Sequence, residues 1–272
     1  MVIMDLDLRY YNQTIKYKSP SQRVRAITEQ WAKDNLYCPY CGGGLRQYKA
    51  GTPVYDFYCI HPEKPFVVLP IENLPIKKFQ LKSNQKYPFI NKIPGGEYKT
   101  TVASLKSYTH PSLILLGYER KKLEVENVDL VHKLSITLSC IEPRKKLSDS
   151  AKRHGWQGCY IVLDKIPAIS FIEVVKNSNI IEKCTVMRRW KHLTNILSGN
   201  LAERGWLADM IKCIENLRET FLLKDVYAYE TKLASLHPKN KHVKDKIRQQ
   251  LQILQDRGVI KFIRRGEYKK IV

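Results

Sequence analysis

The sequence predicts a mixed α/β domain followed by a small helical domain that ends in a β-hairpin. Apolar runs of strand length alternate with helical patterns over roughly the first two thirds of the chain. Beyond Ser198-Gly199-Asn200 the apolar spacing is helical until the last fourteen residues. A chain of 272 residues is long enough for two domains, each with its own core. We therefore expect domains at 1–195 and 196–272.

The first domain begins with a helix and continues with two strand-like runs. Ser19-Pro20 precedes apolar residues at a spacing of three or four, which predicts a helix that ends near Asn35. Residues 54–59 are strand-like, and residues 79–82 alternate apolar and polar as a second strand should. The four prolines between 61 and 78 exclude a helix, so we expect a loop or an edge-strand insertion there.

Further strands complete the first domain. A helix is expected from Gly95-Gly96-Glu97 through Leu105, and residues 111–118 resemble a buried strand. Residues 160–163 and 171–175 are then expected as strands, or as strand and loop. The order strand, strand, helix, strand is typical of a mixed sheet.

The second domain has three helical patterns and a basic hairpin. The helices are expected at 202–217, 224–236 and 242–257, with a short extended piece at 221–223. Residues 259–271 predict a β-hairpin whose tip carries two arginines. Three helices and a basic hairpin are typical of a winged helix.

The charge of the chain indicates a polyanionic partner. The formal net charge is +21, from 47 Lys and Arg against 26 Asp and Glu, and the basic residues are spread over the whole length. Such a protein attracts nucleic acid because each phosphate that it neutralises releases condensed counterions. A ribosomal protein or a protein of a membrane surface is the alternative at this level.

Neither a membrane span nor a disulfide framework is expected. No apolar run approaches the roughly 20 residues that cross a bilayer, and the N-terminus lacks a basic region followed by an apolar core. The expected location is therefore the cytoplasm. Seven Cys, an odd number scattered along the chain, indicate reduced thiols with the capacity to bind metal.

One Cys pair has the spacing of a zinc knuckle. Cys38 and Cys41 are separated by two residues, so that both thiolates can chelate one tetrahedral ion. Cys59 is a third ligand, and the fourth is either His61 or a residue from elsewhere. Buried free thiols are the alternative. The remaining Cys, at 140, 159, 184 and 213, are expected in the core.

The two strand-like runs carry residues that suit a catalytic divalent ion. Asp56 lies on the first, and Gln80 and Lys82 lie two residues apart on the second. Oxygen ligands such as Asp56 and Gln80 can hold Mg²⁺, while the Lys82 ammonium supports the attacking water and the developing charge. The alternative is an exposed strand face. Glu29 and Glu97 are further carboxylates that can approach the site.

Three groups of residues are candidates for DNA contact. Gln and Arg can pair with adenine and guanine edges, and the last helix is rich in both and in Lys. The candidates there are Lys244, Lys246, Arg248, Gln249, Gln250 and Gln252, with a solvated amphipathic face as the alternative. At the hairpin tip, Arg264 and Arg265 suit phosphate or minor-groove contacts. In the basic loop at 145–158, Arg153 and Trp156 can contact a base, a sugar or a methyl group, although a lone Trp is more often a core anchor.

Several ordered segments together resemble one family of enzymes. The chain is similar, over nearly its full length, to the DpnI family of methyl-directed restriction endonucleases. The matching segments are Tyr37-Cys38-Pro39-Tyr40-Cys41-Gly42, Asp56-Phe57-Tyr58-Cys59, Leu81-Lys82-Ser83, Arg153-His154-Gly155-Trp156-Gln157-Gly158-Cys159, Arg204-Gly205-Trp206 and Lys246-Ile247-Arg248-Gln249-Gln250-Leu251-Gln252-Ile253-Leu254.

The resemblance implies a PD-(D/E)xK nuclease domain with a structural zinc, followed by a winged helix. Both domains of the family recognise GATC that carries 6-methyladenine, and the nuclease cuts both strands with Mg²⁺. By the resemblance, Asp56, Gln80 and Lys82 form the metal-binding and catalytic set, and Trp156 belongs to a methyl-sensing loop. The chain departs from the family pattern at Gln80, where the family has Glu, and at Pro62, where it has the fourth Cys.

Three functions follow from the sequence as hypotheses. The first is a type II deoxyribonuclease, expected as a monomer, that requires Mg²⁺ and adenine-methylated double-stranded DNA. The second is a methylated-DNA binding protein whose nuclease site is degenerate because of Gln80. The third, a winged-helix transcription regulator, leaves the pairing of Asp56 with Lys82 unexplained.

Overall fold

The computed structural model describes residues 4–14, 17–49, 55–59, 76–81 and 90–271, except for the side chains of Thr14 and Gln80. His61, Lys82 and most of the proline-rich insertion lie outside the described residues.

Helices form much of the described chain. They are α1 (Arg9–Thr14), α2 (Pro20–Asn35), α3 (Tyr98–Lys106), α4 (Lys183–Ile196), α5 (Leu201–Glu215), α6 (Leu223–Tyr227), α7 (Glu230–Leu236) and α8 (Val243–Asp256). None of these helices combines the length and the apolar content that crossing a membrane requires.

The strands belong to three sheets. They are β1 (Arg46–Gln47), β2 (Phe57–Tyr58), β3 (Ile76–Gln80), β4 (Lys92–Glu97), β5 (Ser112–Glu119), β6 (Glu124–Val131), β7 (Ile141–Pro143), β8 (Gly158–Val162), β9 (Phe171–Lys176), β10 (Asn179–Ile180), β11 (Thr220–Leu222), β12 (Ile260–Arg264) and β13 (Glu267–Lys270).

The largest sheet has seven strands in the order β1-β2-β3-β5-β6-β9-β10. Within the described part of this sheet, β3 and β5 are the only parallel pair and the remaining pairs are antiparallel, so the predicted mixed α/β fold is confirmed. The alternation along β5 separates two cores, since Ile114 and Leu116 belong to one and Leu113 and Leu115 to the other. This sheet carries Asp56 and β3 at one side.

A second sheet, in the order β4-β8-β7, packs with α3 against the second core. Ile93 of β4, Leu105 of α3 and Ile161 of β8 are buried there. The long connection between β7 and β8 is the basic loop that carries Trp156. The loop therefore extends from a packed sheet, which fixes both of its ends.

Helix α4 was not expected from the sequence. Its buried residues Val186, Trp190, Leu193 and Ile196 follow a helical spacing of three or four. Basic and polar residues outnumber these apolar residues in the segment, so the sequence did not indicate the apolar stripe of a helix. The second helix expected in the C-terminal domain is also corrected, because it is divided into α6 and α7 around Ala228-Tyr229.

The C-terminal helices and the sheet β11-β13-β12 form a winged-helix arrangement. Helix α5 begins with a capping box, in which Asn200 accepts hydrogen bonds from the backbone and the Glu203 side chain accepts from the Asn200 N–H. Gly199 precedes it with φ 128°, a conformation that favours glycine. The sequence Ser198-Gly199-Asn200 thus marks the start of α5, as expected.

Side chains on α5 join the two parts of the chain. The Ser139 Oγ donates to Asp209 Oδ1 at 3.3 Å, and the Ala168 N–H donates to Glu215 Oε1 at 2.6 Å. Arg204 is fully buried, and its guanidinium lies over the Tyr108 ring at 4.6 Å. These contacts set the position of the winged helix relative to the large sheet.

Candidate nuclease site, metal cluster and DNA-facing surface

Asp56 directly precedes β2, and both neighbouring strands hold its backbone. Its N–H donates to the Ile76 carbonyl at 3.0 Å, and its carbonyl accepts from the Tyr48 N–H at 2.9 Å. The residue is only 9% exposed. Burying a carboxylate is costly unless it is paired, so the partners of its two oxygens decide what this site can bind.

Two consecutive lysines of β3 occupy the two carboxylate oxygens. The Lys77 Nζ donates to Asp56 Oδ1 at 2.8 Å, and the backbone N–H of Lys78 donates to Asp56 Oδ2 at 2.8 Å. The side chain of Lys77 is 28% exposed, whereas that of Asp56 is 8% exposed. The Lys77 ammonium therefore lies at the accessible side of the carboxylate and can exchange with solvent cations.

Lys78 points its ammonium into the protein and joins β3 to α2. Its Nζ donates to Thr28 Oγ1 at 2.6 Å, and that hydroxyl donates to the Val24 carbonyl at 2.9 Å. Burial lowers the pKa of Lys78 to about 8, while the negative charges of Glu29 and Asp56 oppose that shift. The contact sets the position of β3 relative to α2. Because the Lys78 N–H also donates to Asp56, it thereby sets the orientation of the Asp56 carboxylate.

The other sequence candidates for this site are only partly brought together. Gln80 ends β3 and pairs in register with Leu116, but its side chain, like all of Lys82, is outside the described residues. Glu29 lies on α2 beside the buried Lys78 and pairs with Arg25 Nε at 2.6 Å. Glu97 caps α3, where it accepts from the Thr100 N–H at 3.3 Å.

The sequence patterns do not indicate Lys77 and Lys78 as residues of this site. Both lie within the stretch that its prolines predict to be an insertion. The signal that identifies them is the antiparallel pairing of Phe57 with Ile76, which brings the start of β3 next to Asp56. That pairing is a long-range contact, and alternation within a single strand does not reveal it.

The three expected cysteines form a cluster. The Sγ atoms of Cys38, Cys41 and Cys59 lie within 4.8 Å of one another, with Cys41 and Cys59 at 3.4 Å. Cys38 and Cys59 are buried, and burial raises the pKa of the Cys38 thiol to about 11. Three converging thiols can hold a metal ion, and soft sulfur ligands suit zinc. His61, one of the two alternatives for the fourth ligand, lies outside the described residues.

Helix α4 supports the turn that carries this cluster. The Gly42 N–H donates to the Cys38 carbonyl at 2.8 Å, and Gly42 adopts φ 76°. The Lys183 Nζ donates to the Gly42 carbonyl at 2.6 Å and lies over the Tyr37 ring. A Cβ at Gly42 would meet only the flexible end of the Lys183 side chain at 3.0 Å, so the positive φ is the feature that favours glycine here.

The basic loop holds Arg153 and Trp156 together. The Arg153 guanidinium lies 5.3 Å from the centre of the Trp156 ring, and the ring is partly exposed. The Trp156 carbonyl accepts from the Leu147 N–H at 2.9 Å, and a Cβ at Gly158 would come within 2.8 Å of the ring. The loop is therefore packed around a Trp that remains partly exposed.

Helix α8 presents a polar face to solvent and an apolar face to the core. Lys244, Arg248, Gln249 and Gln252 are exposed and Lys246 is half-buried, while Val243, Ile247, Leu251 and Leu254 are buried. At the hairpin tip Arg265 is exposed, and Arg264 is exposed while it pairs with Glu267.

Gln250 disagrees with the expectation of a base contact. It is 0% exposed, and neither its Nε2 nor its Oε1 has a hydrogen-bond partner among the described residues. Its spacing from Ile247 and Leu254 places it on the buried stripe of α8.

Two family models match the chain. The DpnI model, described as the Dam-replacing family, matches residues 4–199. This chain belongs to the DpnI family. The Dam-replacing HTH domain matches residues 202–270, which include α5 to α8 and the hairpin.

Each group of candidate residues in this DpnI-family protein falls within one of the two matches. Asp56, the cysteine cluster and Trp156 fall within the first match, whereas α8 and the hairpin fall within the second. Helix-turn-helix domains place a helix in the major groove of DNA, so the exposed cations of α8 lie on the type of element that contacts DNA.

Proposed function

We propose that this protein is a methyl-directed type II restriction endonuclease. It cleaves double-stranded DNA at adenine-methylated sites, GATC with 6-methyladenine, by Mg²⁺-dependent phosphodiester hydrolysis. The observation that carries the proposal is the buried Asp56 carboxylate with a cation on its accessible oxygen, in a DpnI-family chain that ends in a helix-turn-helix domain. Residues 1–195 are the PD-(D/E)xK nuclease domain, residues 196–272 bind DNA, and the protein acts as a monomer.

The residues at Asp56 fit a divalent cation. The Lys77 ammonium, 2.8 Å from Asp56 Oδ1, already occupies a cation position at this oxygen. Asp56 and Gln80 would hold the magnesium ion, since both residue types offer the oxygen ligands that Mg²⁺ takes in proteins. When bound there, the ion activates a water for attack on phosphorus and stabilises the charge that develops.

The protein's own residues orient the reacting groups. The Lys78 N–H fixes one oxygen of Asp56, and its ammonium holds β3 against Thr28. Lys77 and Lys82 supply positive charge for the scissile phosphate and for the charge that develops on it. Arg153 and Trp156 sense the methyl group in the nuclease domain, while α8, Arg264 and Arg265 contact the duplex. The cysteine cluster holds a structural zinc, with His61 or a residue from elsewhere as its fourth ligand.

A second candidate is a methylated-DNA binding protein with a degenerate nuclease site. The observation that favours it is the occupation of Asp56, where the Lys77 ammonium and the Lys78 backbone N–H hold both oxygens of one carboxylate and Gln80 adds a neutral amide. A carboxylate whose two oxygens already accept from donors, next to a neutral amide, holds a divalent cation poorly.

Cleavage of matched duplexes distinguishes the two candidates. We expect the wild type to cut a GATC duplex methylated on both strands in Mg²⁺, and to leave the unmethylated duplex intact. Asp56→Asn and Lys82→Ala should abolish cutting and retain binding, and Gln80→Glu should increase the rate. Asp164→Asn, an exposed carboxylate far along the chain, is the control for charge. Specific binding by the wild type without any cutting would replace the first candidate with the second.

A further inference from the structure

Two large apolar side chains are exposed in the hairpin of the winged helix. Phe262 is 45% exposed and Ile263 is 48% exposed, both on β12. Their neighbours Lys261, Arg264 and Arg265 are exposed cations. An apolar surface within so basic a segment suits a partner that is both anionic and able to accept an apolar side chain, and DNA has both properties.

Phe262 is supported from behind by an aromatic row that crosses all three strands. Phe221 of β11 is 2% exposed and stacks on Tyr268 of β13, with ring centres 5.6 Å apart. Tyr268 in turn meets the Phe262 ring edge to face at 6.0 Å. The row runs from the core to solvent, so its outermost ring is held firmly in place.

Helix α6 connects the sheet that carries this row with α8, because it packs against both β11 and α8. Burial, and then the charge of Tyr227 on α6, raises the pKa of Tyr268. The Tyr227 hydroxyl also accepts a hydrogen bond from the Arg248 Nη1 at 3.0 Å. Phe262 and the exposed Arg248 therefore belong to one packed unit of the hairpin sheet, α6 and the helix expected in the major groove.

We propose that Phe262 is a wedge that enters the minor groove, unstacks one base step and bends the bound DNA. The inference rests on the DNA binding in the proposed function and adds a deformation of the duplex to it. Minor-groove proteins insert apolar side chains between base pairs and gain contact area from the bend. The exposed cations on both sides of Phe262 would contact the phosphates that border the groove.

Ile263 provides a matched control because its side chain is similarly exposed but is not part of the aromatic row. It occupies the irregularity between Phe262 and Arg264, where the pairing of β12 with β13 shifts. The aromatic row ends at Phe262. Removal of either side chain takes away a similar exposed apolar surface, but only Phe262 has the rigidity that a wedge requires.

The test measures bending and unstacking with the full chain and without divalent ions, so that no strand is cut. A methylated duplex carries donor and acceptor dyes at its ends, and 2-aminopurine is placed in turn at the steps that flank GATC. We expect the wild type to shorten the end-to-end distance and to raise 2-aminopurine fluorescence at one step. Phe262→Ala should remove both signals and weaken binding roughly tenfold, whereas Ile263→Ala should keep both.

The following results would contradict the proposal that Phe262 is a wedge. A wild type that binds a straight duplex overturns it, as does an equal loss in the two variants. If Phe262→Ala fails to fold, Phe262→Thr keeps a strand-forming residue and should lose the bend. The proposed function fails separately, through absence of cleavage when Mg²⁺ is added to the same complex. A protein that binds no duplex at all would overturn both.

Discussion

Lys77 places its ammonium 2.8 Å from Asp56 Oδ1, the oxygen that the proposed magnesium ion would use. The other oxygen accepts the backbone N–H of Lys78, which cannot leave without separating the strands. A divalent ion must therefore displace Lys77, and the two cations compete for one position. The exposed fraction of the Lys77 side chain, 28%, allows this exchange.

Replacing Lys77 should strengthen divalent-ion binding. In Lys77→Met the oxygen is vacant and one positive charge is lost beside it, so we expect the half-saturating Mn²⁺ concentration to fall by about tenfold. Electron paramagnetic resonance of free Mn²⁺ measures this without any cleavage. Lys99→Met, an exposed lysine of α3, makes the same charge change at a distance. Equal shifts in both variants would show a general charge effect and no competition.

The cysteine cluster should make stability depend on zinc. We expect one zinc per chain by elemental analysis, and its loss in Cys38→Ser and Cys59→Ser with a free energy of unfolding lower by about 3 kcal/mol. The exposed Cys184→Ser is the control and should keep the metal. His61→Ala tests the fourth ligand directly. Full zinc content in Cys38→Ser would contradict the assignment.

Local patterns predicted the parts of the fold that depend on neighbouring residues. The Cys38-x-x-Cys41 spacing and the hairpin with Arg264 and Arg265 at its end are local features, and both lie where the sequence indicated. The helical phase of α8 is also local, and it already placed Gln250 with Ile247 and Leu254 on the buried side. The assignment of Gln250 to DNA contact came from residue type alone.

Contacts between distant segments could not be predicted in the same way. Lys77 reaches Asp56 because Phe57 pairs with Ile76 across the proline-rich insertion, and no spacing rule contains that register. Lys183 likewise reaches Gly42 across 141 positions of the chain. Both contacts lie beside candidate metal sites, so the sequence indicated candidate ligands and did not indicate the residues that hold them in place.

Asp129 should make the protein less stable as the pH rises. It is 7% exposed on β6 opposite Glu173, and burial, then the charge of Glu173, raises its pKa to about 7. The folded state therefore binds the proton more tightly than the unfolded state, and this stability is lost as the pH rises from about 4 through 7.

Asp129→Asn removes this pH dependence. At pH 8 we expect the variant to be more stable than the wild type by on the order of 2–4 kcal/mol, and at pH 4 to be nearly equal to it. Denaturant unfolding at both pH values measures the difference. Asp149→Asn, an exposed carboxylate, should show no such divergence. A variant that loses stability at pH 8 would mean that Asp129 is ionised and favourably solvated in the fold.

His132 should have the opposite dependence and destabilise the protein in acid. It is 3% exposed, its Nδ1 accepts the Leu134 N–H at 3.1 Å, and its ring lies 4.3 Å from that of Trp190. Since Nδ1 accepts, Nε2 carries the proton and donates to Thr194 Oγ1 at 3.0 Å. Burial, and then the charge of Lys133, lowers the pKa of His132 to about 3.

Between about pH 3 and 6.5, His132 is therefore protonated in the unfolded state and neutral in the folded state. The folded state loses stability as the pH falls below about 6.5. Between pH 7 and pH 4 we expect His132→Gln to lose about 2–3 kcal/mol less stability than the wild type. His192→Gln, at an exposed position of α4, should lose as much as the wild type. Carboxylates that titrate in the same range affect all three proteins equally and cancel in the comparison. Parallel losses in the three proteins would place a charged His132 in the folded state, which its two hydrogen bonds and its contact with Trp190 argue against.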